Sequence, residues 1–282
     1  MRESATETKK RVTVISGSPH RGGATERAAR MFLEGLQSKG DVEGEIVRLS
    51  DYNLGLCRGC KVCFNRGEDL CPLKDDRDLI IRKMEDSDGI VFASPNYSWH
   101  VSGVMKAFLD RLGFVFHRPR FHGKTATAIV VQGIFRGGQI RKYLEYCAGG
   151  LGFNVTKGSV HKTLEPMPDK ALEEMKRSLA QHSRRFYDRL LRSQFPTPSF
   201  FGLMMFRMSR SGIRQNVSAE HPDYRHFLNK GWFESGFYYP VRLGVLRRTA
   251  GSLFDWAGAH MRTFKVAEEK KRPIETTHEA PK

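Results

Sequence analysis

The 282-residue sequence predicts an α/β protein built on a doubly wound, five-stranded parallel sheet, followed by a C-terminal extension. Short β-branched runs alternate with longer segments in which apolar residues recur at helical spacing. This alternation is typical of parallel sheets whose crossover connections are helices. Glycine-rich turns follow several of the strand-like runs, and after residue 192 the alternation gives way to an aromatic segment.

The first strand and helix are the clearest pair. Residues 11–16 (RVTVIS) form a β-branched run, and residues 26–40 place apolar side chains on one helical face before a glycine stop. The other predicted strands are 45–50, 89–95, 125–133 and 154–160, and the other predicted helices are 75–88, 101–113, 137–152 and 169–193. In such sheets, ligands bind beyond the carboxyl ends of the strands, where the strand order reverses.

The remaining residues define the domain organisation. We predict a disordered N-terminus over 1–10, the α/β domain over 11–192, an extension over 193–265 and a disordered tail over 266–282. The extension is rich in Phe, Met, Trp and Arg, and is therefore expected to pack on the domain or on a partner subunit. Peripheral contact with a membrane surface, as a basic amphipathic segment, is the alternative.

Composition excludes several classes of protein. With 39% apolar and 28% charged residues, the chain is expected to fold around a sizeable core. It has no run of roughly 18 uncharged apolar residues and no apolar signal core at its N-terminus, so we expect a cytoplasmic protein. The net charge of +16 would attract anionic ligands or partners. Because the basic residues are dispersed and match no nucleic-acid-binding motif, no nucleic-acid partner is expected.

The loop after the first predicted strand has the features of a phosphate site. In SGSPHRGGATE, Ser16, Ser18 and Thr25 offer hydroxyl groups, and the glycines permit tight turns. The following helix would present free N–H groups to an anion. The loop lacks both the Lys-Ser/Thr ending of a nucleoside-triphosphate loop and the dinucleotide fingerprint. A phosphate monoester is therefore the predicted ligand.

Two further loops suit a planar ring. After the third predicted strand, Pro95 is followed by Asn96, Tyr97, Trp99 and His100, which combine an amide, aromatic faces and polar edges. After the fourth, several glycines, Gly133 and Gly138 among them, would let the backbone approach a ligand closely. These three loops together predict one ligand site at one edge of the sheet.

Four of the five cysteines lie in one short segment. Cys57, Cys60, Cys63 and Cys71 fall within residues 57–72, and this clustering leaves a zinc site, an iron-sulfur cluster and a reduced loop without metal as alternatives. Four thiolates are the ligand set of a [4Fe–4S] cluster. Structural zinc more often uses two separated pairs. The fifth, Cys147, is expected to be a buried small apolar residue. Asp75 and Asp76 are interpreted as helix caps.

Three segments resemble the flavodoxin-like NAD(P)H-dependent FMN reductases: GSPHRGGAT, SPNYSWHVSGVMKAFLDR and QGIFRGGQ. The segment CRGCKVC followed by CPLKDD is similar to that of the iron-sulfur flavoprotein branch of this family. The resemblance covers about residues 11–192 and implies a flavodoxin-like fold with FMN as cofactor. It implies Ser16, Ser18, His20, Gly23 and Thr25 around the phosphate, Pro95, Asn96, Tyr97 and Trp99 along the isoalloxazine, and Gly133 and Gly138 beside the ring or ribityl chain.

The resemblance also implies two functions. The first is an NAD(P)H-dependent flavin oxidoreductase that passes electrons to a quinone, a flavin or another small acceptor. The alternative is an electron carrier that accepts electrons from ferredoxin through a [4Fe–4S] cluster on the four cysteines. A homodimer or homotetramer is expected in either case. Because the flavin supplies the hydride chemistry, no catalytic side chain is assigned, although His100, His117 and His122 are candidates for proton delivery.

Overall fold

The computed structural model describes residues 9–164, 166–192 and 194–260. The chain divides into two compact units, Met1–Pro196 and Thr197–Lys282. The predicted tail 266–282, and all of the predicted N-terminal disordered stretch except Lys9 and Lys10, lie outside the described residues. Lys10 already belongs to the first strand.

The first unit alternates strands and helices as predicted. Its strands are β1 (Lys10–Ser16), β2 (Val42–Arg48), β3 (Gly89–Pro95), β4 (Thr125–Gln132), β5 (Asn154–Val155) and β6 (Ser159–Lys162). Its helices are α1 (Ala24–Gln37), α2 (Val62–Asn65), α3 (Arg77–Glu85), α4 (Gly103–Arg111), α5 (Gly113–His117), α6 (Gly137–Leu151) and α7 (Asp169–Leu190). Two short 3₁₀ turns cover Leu49–Asp51 and Glu68–Leu70.

The strands form one parallel sheet in the order β2-β1-β3-β4-β5, with β6 also paired to β4. The doubly wound parallel architecture predicted from the alternation is confirmed. The chain moves outward in one direction from β1 to β2 and in the other from β1 to β3, so the strand order reverses between β1 and β3. Sheets of this type bind ligands at that reversal.

The predicted fifth strand, 154–160, is two short strands. Ala126 pairs with Val155 and Ile129 pairs with Ser159, so four steps along one segment oppose three along β4. The extra residue bulges out and interrupts the ladder. At Gly158 an added Cβ would lie 2.0 Å from the carbonyl oxygen of Ala128, so only glycine lets the chain rejoin β4 this closely.

Helices cover both faces of the sheet. Alternate residues of β1 point to opposite faces: Val14 joins the core beneath α1 and α7, and Ile15 joins the core beneath α3, α4 and α6. Phe32 and Phe186 meet edge to face on the first side, with ring centroids 5.5 Å apart. This double cover explains why β3 and β4 are mostly apolar and are buried along their whole length.

The second unit is helical and has its own aromatic core. It contains α8 (Phe200–Asn216), α9 (Pro222–Asn229) and α10 (Val245–His260). The buried side chains of this core are Leu203, Phe206, Ile213, Phe227, Trp232, Phe233 and Phe237. On α10, Leu246, Leu253 and Trp256 remain exposed. None of the described helices combines the length and apolarity that a bilayer crossing requires.

Candidate functional site

The three predicted ligand loops follow three neighbouring strands. β1 ends at Ser16, whose partner on β3 is Ala93, and β3 ends at Pro95, whose partner on β4 is Val131. Because all three strands run in the same direction, their carboxyl ends lie along one edge, on either side of the β1/β3 reversal. The structure therefore brings together segments that are more than 100 residues apart between Ser16 and Gly133.

The first loop combines buried hydroxyls with an uncapped helix. Ser16, Ser18 and Thr25 are buried, whereas His20 is exposed. The Ser18 N–H donates to Ser16 Oγ at 3.4 Å, and the His20 N–H donates to Ser18 Oγ at 3.3 Å. Gly23 is the N-cap residue of α1 and provides no side-chain cap. The first-turn N–H groups are thus left for an anion, which is the arrangement expected of a phosphate site.

Glu26, which sequence reasoning missed, fixes the glycine turn of this loop. Its Oε2 accepts the Gly22 N–H at 3.1 Å, and Arg30 and Arg48 donate to the same carboxylate. These contacts, that of Arg48 foremost, lower the pKa of Glu26 to about 2 despite its burial. The two guanidinium groups neutralise the Glu26 carboxylate, so its negative charge would not repel a phosphate bound at this loop. Its place as the third residue of a helix was the available signal.

The second loop is a tight hairpin in which an aromatic residue has a strained backbone conformation. The Tyr97 and His100 backbones exchange two hydrogen bonds of 3.0 Å around Ser98 and Trp99. Both central residues have positive φ, 48° and 63°. Two-residue hairpins of this kind favour Asn-Gly. For other L-residues the conformation costs about 1–2 kcal/mol each.

Asn96 joins the second loop to the third. Its N–H donates to the Val131 carbonyl at 2.7 Å, and its Nδ2 donates to the Phe135 carbonyl at 2.9 Å. Its Oδ1 is buried, and none of the residues that the structure describes hydrogen-bonds to it. A buried acceptor left unpaired is costly and is rarely tolerated without a reason. A ring N–H of a bound heterocycle such as the isoalloxazine would satisfy it, so this loop fits FMN.

The third loop surrounds its glycines with exposed side chains. A Cβ added to Gly138 would meet no atom of the described residues within 4 Å, which leaves space for a ligand beside the backbone. Gln132, also missed from the sequence, accepts the Gly137 N–H at 2.6 Å and fixes the start of α6. Phe135 is 50% exposed. The guanidinium carbon of Arg136 lies 5.4 Å from the centre of the Trp99 ring.

The four clustered cysteines lie on a segment before α3 that has little regular structure apart from the short helix α2, which contains Cys63. Cys57 and Cys60 are exposed, and Cys63 and Cys71 are half-buried. Burial raises the pKa of the Cys63 thiol, and charge repulsion from the other three thiols adds to it. Within the described ranges, no set of three or more ligating side chains is gathered as for a metal ion. The number and kind of donors suit a four-thiolate cluster, but the segment is not drawn together around one.

Buried arginines tie this segment to the α/β domain. Arg118 donates to the Cys63 carbonyl at 2.6 Å, and Arg111 Nη2 lies 3.7 Å from Cys71 Sγ. Arg111 also pairs with Asp75, whose Oδ2 accepts the Gly55 N–H at 2.9 Å. Together the cation and these backbone contacts lower the pKa of Asp75, even though burial, the largest influence, acts the other way.

The interpretation of Asp75 and Asp76 as simple helix caps was incomplete. Asp75 does accept the Arg77 N–H, at 3.3 Å, but its other contacts hold the cysteine segment against α4. Asp76 is the N-cap residue of α3, yet its carboxylate accepts the Asn53 N–H at 2.8 Å instead of a helix N–H. Partners so distant in sequence leave no local pattern.

The predicted histidines separate in space, and the fifth cysteine is where we expected it. His100 lies in the second loop and contacts Tyr143, with ring centroids 4.8 Å apart. His117 packs instead on Phe64 of the cysteine segment, at 4.7 Å. Cys147 is buried in the sheet core, as predicted.

Comparison with protein families identifies the class. Residues 10–161 match the model of the NADPH-dependent FMN reductase family. This match covers more than half of the chain, so the protein belongs to that family. The fold and the family resemblance predicted from the sequence are confirmed.

The chain is also similar to individual proteins, among them two iron-sulfur flavoproteins. The chain is 38% identical over 117 residues to an iron-sulfur flavoprotein of Archaeoglobus fulgidus, covering 42% of this chain and 52% of the relative. It is 36% identical over 134 residues to an iron-sulfur flavoprotein of Methanocaldococcus jannaschii, covering 46% and 65%. The chain therefore spans about half to two thirds of the length of these relatives.

Solved structures share the fold at low identity. A flavone reductase aligns with a TM-score of 0.52 at 19% identity, over 66% of each chain. RosB, crystallised with the intermediate 8-demethyl-8-formylriboflavin-5'-phosphate, aligns with a TM-score of 0.52 at 12% identity, over 97% of this chain and 99% of its own. The second likeness extends through the C-terminal part of the chain.

Proposed function

We propose that the protein is an FMN-dependent oxidoreductase that takes electrons from NADH or NADPH and passes them to a quinone, a flavin or another small acceptor. The observation that supports this most is the meeting of three loops at the strand-order reversal of a chain from the FMN reductase family. The uncapped start of α1 and the unpaired Oδ1 of Asn96 add independent support.

The three loops divide the work of binding. The phosphate would be held by the first loop, that is by Ser16, Ser18, His20, Gly23 and Thr25. The ring would lie along the second loop, against Pro95, Asn96, Tyr97 and Trp99, with Gly133 and Gly138 of the third loop beside the ring or ribityl chain. When bound, FMN would supply the hydride chemistry, accepting a hydride from the nicotinamide and releasing two electrons to the acceptor.

Side chains of the protein hold the loops of the site in position. Glu26 holds the glycine turn through the Gly22 N–H, and Asn96 joins the second and third loops. His100 is exposed at the end of the second loop and is a candidate for proton delivery. No side chain is required as a nucleophile in this reaction.

The direct test is anaerobic reduction of the FMN-loaded protein. Added NADPH or NADH should bleach the flavin's visible absorption, and one equivalent should suffice. An added quinone should restore the absorption. A variant with Thr25 changed to Ala should need more FMN for saturation, whereas Thr249→Ala, in the second unit, should not. A loaded protein that neither nicotinamide bleaches would contradict the proposal.

A second candidate is an iron-sulfur flavoprotein that receives electrons from ferredoxin. The four clustered cysteines and the two relatives of that name favour it. In that case Cys57, Cys60, Cys63 and Cys71 would hold a [4Fe–4S] cluster, and the net charge of +16 would favour docking of an acidic ferredoxin.

Iron analysis separates the two candidates. Protein purified without oxygen should contain about four iron and four acid-labile sulfide per chain if the cluster is present. Cys60→Ser should then lose the iron, and Cys147→Ser, outside the segment, should keep it. If the wild-type protein contains flavin but no iron, the iron-sulfur candidate is excluded and the nicotinamide-dependent reductase is the remaining candidate.

A further inference from the structure

An exposed group of three side chains borders the candidate flavin site. Trp99 is 62% exposed and Phe135 is 50% exposed, and their ring centroids lie 6.0 Å apart. Arg136 stacks its guanidinium on the Trp99 ring at 5.4 Å. We call these residues the aromatic rim. Single exposed apolar residues are common on protein surfaces, but aromatic rings gathered beside a binding cleft are typical of recognition sites.

The backbone of the aromatic rim is unfavourable for the residues present. Trp99 and Arg136 both have positive φ, 63° and 71°. Trp99 occupies the second central position of the hairpin closed by Tyr97 and His100, where glycine fits best. Packing of the Trp99 side chain does not offset this conformational cost, since most of the indole is in contact with water. Outliers of this kind point to a functional use of the side chain.

The aromatic rim is held by hydrogen bonds and retains a positive charge. Asn96 Nδ2 bonds to the Phe135 carbonyl, which joins the two loops that bear the rings. In the described part of the chain, no ion pair joins Arg136 to a carboxylate, and its side chain donates a long hydrogen bond of 3.4 Å to Gln139 Oε1. Its guanidinium therefore remains available to an anionic group.

We propose that the aromatic rim is a subsite for the electron acceptor, and that it selects a planar aromatic ring bearing one carboxylate or sulfonate. This inference rests on the proposed flavin reductase function. The ring would stack on Trp99 and Phe135, and the anionic substituent would pair with Arg136. The nicotinamide donor is a poorer match because it has several phosphate charges, whereas the aromatic rim offers one guanidinium.

A binding experiment isolates the subsite from turnover. Naphthalene-2-sulfonate, which is not reducible here, is titrated into the FMN-loaded protein by calorimetry. Trp99→Gly suits the hairpin and should fold, and we expect it to raise the Kd about tenfold, whereas Trp99→Phe keeps an aromatic face and should stay within about threefold. Arg136→Gln should raise the Kd about fivefold and leave the Kd for uncharged 2-naphthol within about twofold.

Turnover tests the assignment to the acceptor. The matched substrates are 1,2-naphthoquinone-4-sulfonate and 1,2-naphthoquinone. Each quinone takes the hydride equivalent of one NAD(P)H and one proton from water, and leaves as the hydroquinone with NAD(P)⁺ as the oxidised product. In Arg136→Gln, the ratio of kcat/KM for the sulfonate to that for the neutral quinone should fall about fivefold, with an unchanged KM for the nicotinamide.

Three outcomes would overturn the subsite. The first is that the wild-type protein does not bind naphthalene-2-sulfonate. The second is that the Trp99 and Arg136 variants bind it as tightly as the wild type does. The third is that these variants raise the KM for the nicotinamide and leave the KM for the acceptor unchanged. Each of these leaves nicotinamide-dependent bleaching of the wild-type flavin intact. Loss of that bleaching in the wild type would instead overturn the proposed function, and the subsite with it.

Discussion

At the scale of single residues, the buried charge of Glu26 holds the glycine turn of the first loop in position. Its carboxylate is almost fully buried, and it contacts Arg48, Arg30 and the Gly22 N–H. The pKa of about 2 means that it stays ionised in the folded protein under all ordinary conditions. Its contribution to stability is therefore complete above the ordinary carboxyl pKa of 4.5 and is lost as the pH falls from there towards 2.

Changing Glu26 to Gln should lower the free energy of unfolding by about 2 kcal/mol, because Arg48 and Arg30 lose a charged acceptor. Urea unfolding of the FMN-free protein measures this. Glu43→Gln is the control: its carboxylate is 54% exposed and pairs with Lys9 at 3.3 Å, so we expect a change below about 0.5 kcal/mol. Equal effects of the two substitutions would show that Glu26 has no special structural role.

The residue types of the three candidate loops could be read from the sequence, whereas the partners of their buried side chains could not. The hydroxyls of the first loop, the amide and aromatic rings of the second and the glycines of the third were all visible as local patterns after strands. Arg48, in contrast, lies 22 residues from Glu26, and Arg111 lies 36 residues from Asp75. Side-chain pairs at these separations depend on the tertiary fold and leave no signal in one sequence.

At the scale of elements, a buried polar network joins β4, β6 and α7. His182 bonds to Thr127 Oγ1 at 2.7 Å and to Ser159 Oγ at 2.8 Å, and His161 bonds to the same Ser159 Oγ at 2.8 Å. Burial lowers the pKa of His161 to about 4, and burial with nearby arginines lowers that of His182 to about 3. Both rings are thus neutral in the folded protein at neutral pH.

The first unit should lose stability in mild acid. Unfolded histidine titrates near 6.5, so protonation favours the unfolded chain below that pH, and the loss continues down to the folded pKa values. Between about pH 7 and 5 we expect a loss of about 2 kcal/mol for each histidine. Urea unfolding across that range measures it. His161→Gln, which retains a donor or acceptor for Ser159, should remove about half of the pH dependence; an unchanged slope would contradict the assignment.

Close approach of two helices stabilises the second unit. A Cβ added at Gly258 of α10 would lie 2.5 Å from the carbonyl oxygen of Met208 and 2.6 Å from its Cα, both on α8. Asp255 accepts Arg207, Arg210 and the Ser211 hydroxyl beside this contact. Backbone atoms cannot move aside as a flexible side chain would.

Gly258→Ala should therefore lower the free energy of unfolding of this unit by about 2 kcal/mol, despite the better helix propensity of alanine. Tryptophan fluorescence in urea measures it, because Trp232 is in the core of the unit. Gly244→Ala is the control, since nothing lies within 4 Å of its added Cβ. Similar effects of the two variants would mean that the helices do not need a glycine at this crossing.

At the scale of the whole molecule, the alternating strand and helix pattern was sufficient to predict the parallel sheet, because apolar strands of this kind require helical cover on both faces. The chain divides into its two units after Pro196, and the domain boundaries expected from the sequence stay predictions. The split of the fifth strand was not foreseeable, because it depends on the contact between Gly158 and Ala128. Packing of the extension on a partner subunit remains a prediction.

The phosphate site can be tested by comparing the affinities of the protein for FMN and riboflavin, which differ only by the phosphate. Fluorescence titration of the flavin-free protein gives both dissociation constants. If the first loop and the start of α1 hold the phosphate, FMN should bind at least about 100-fold more tightly, as expected from two or more charge-assisted hydrogen bonds. Equal affinities would contradict a phosphate site in the first loop, and no binding of either flavin would contradict an FMN-dependent protein.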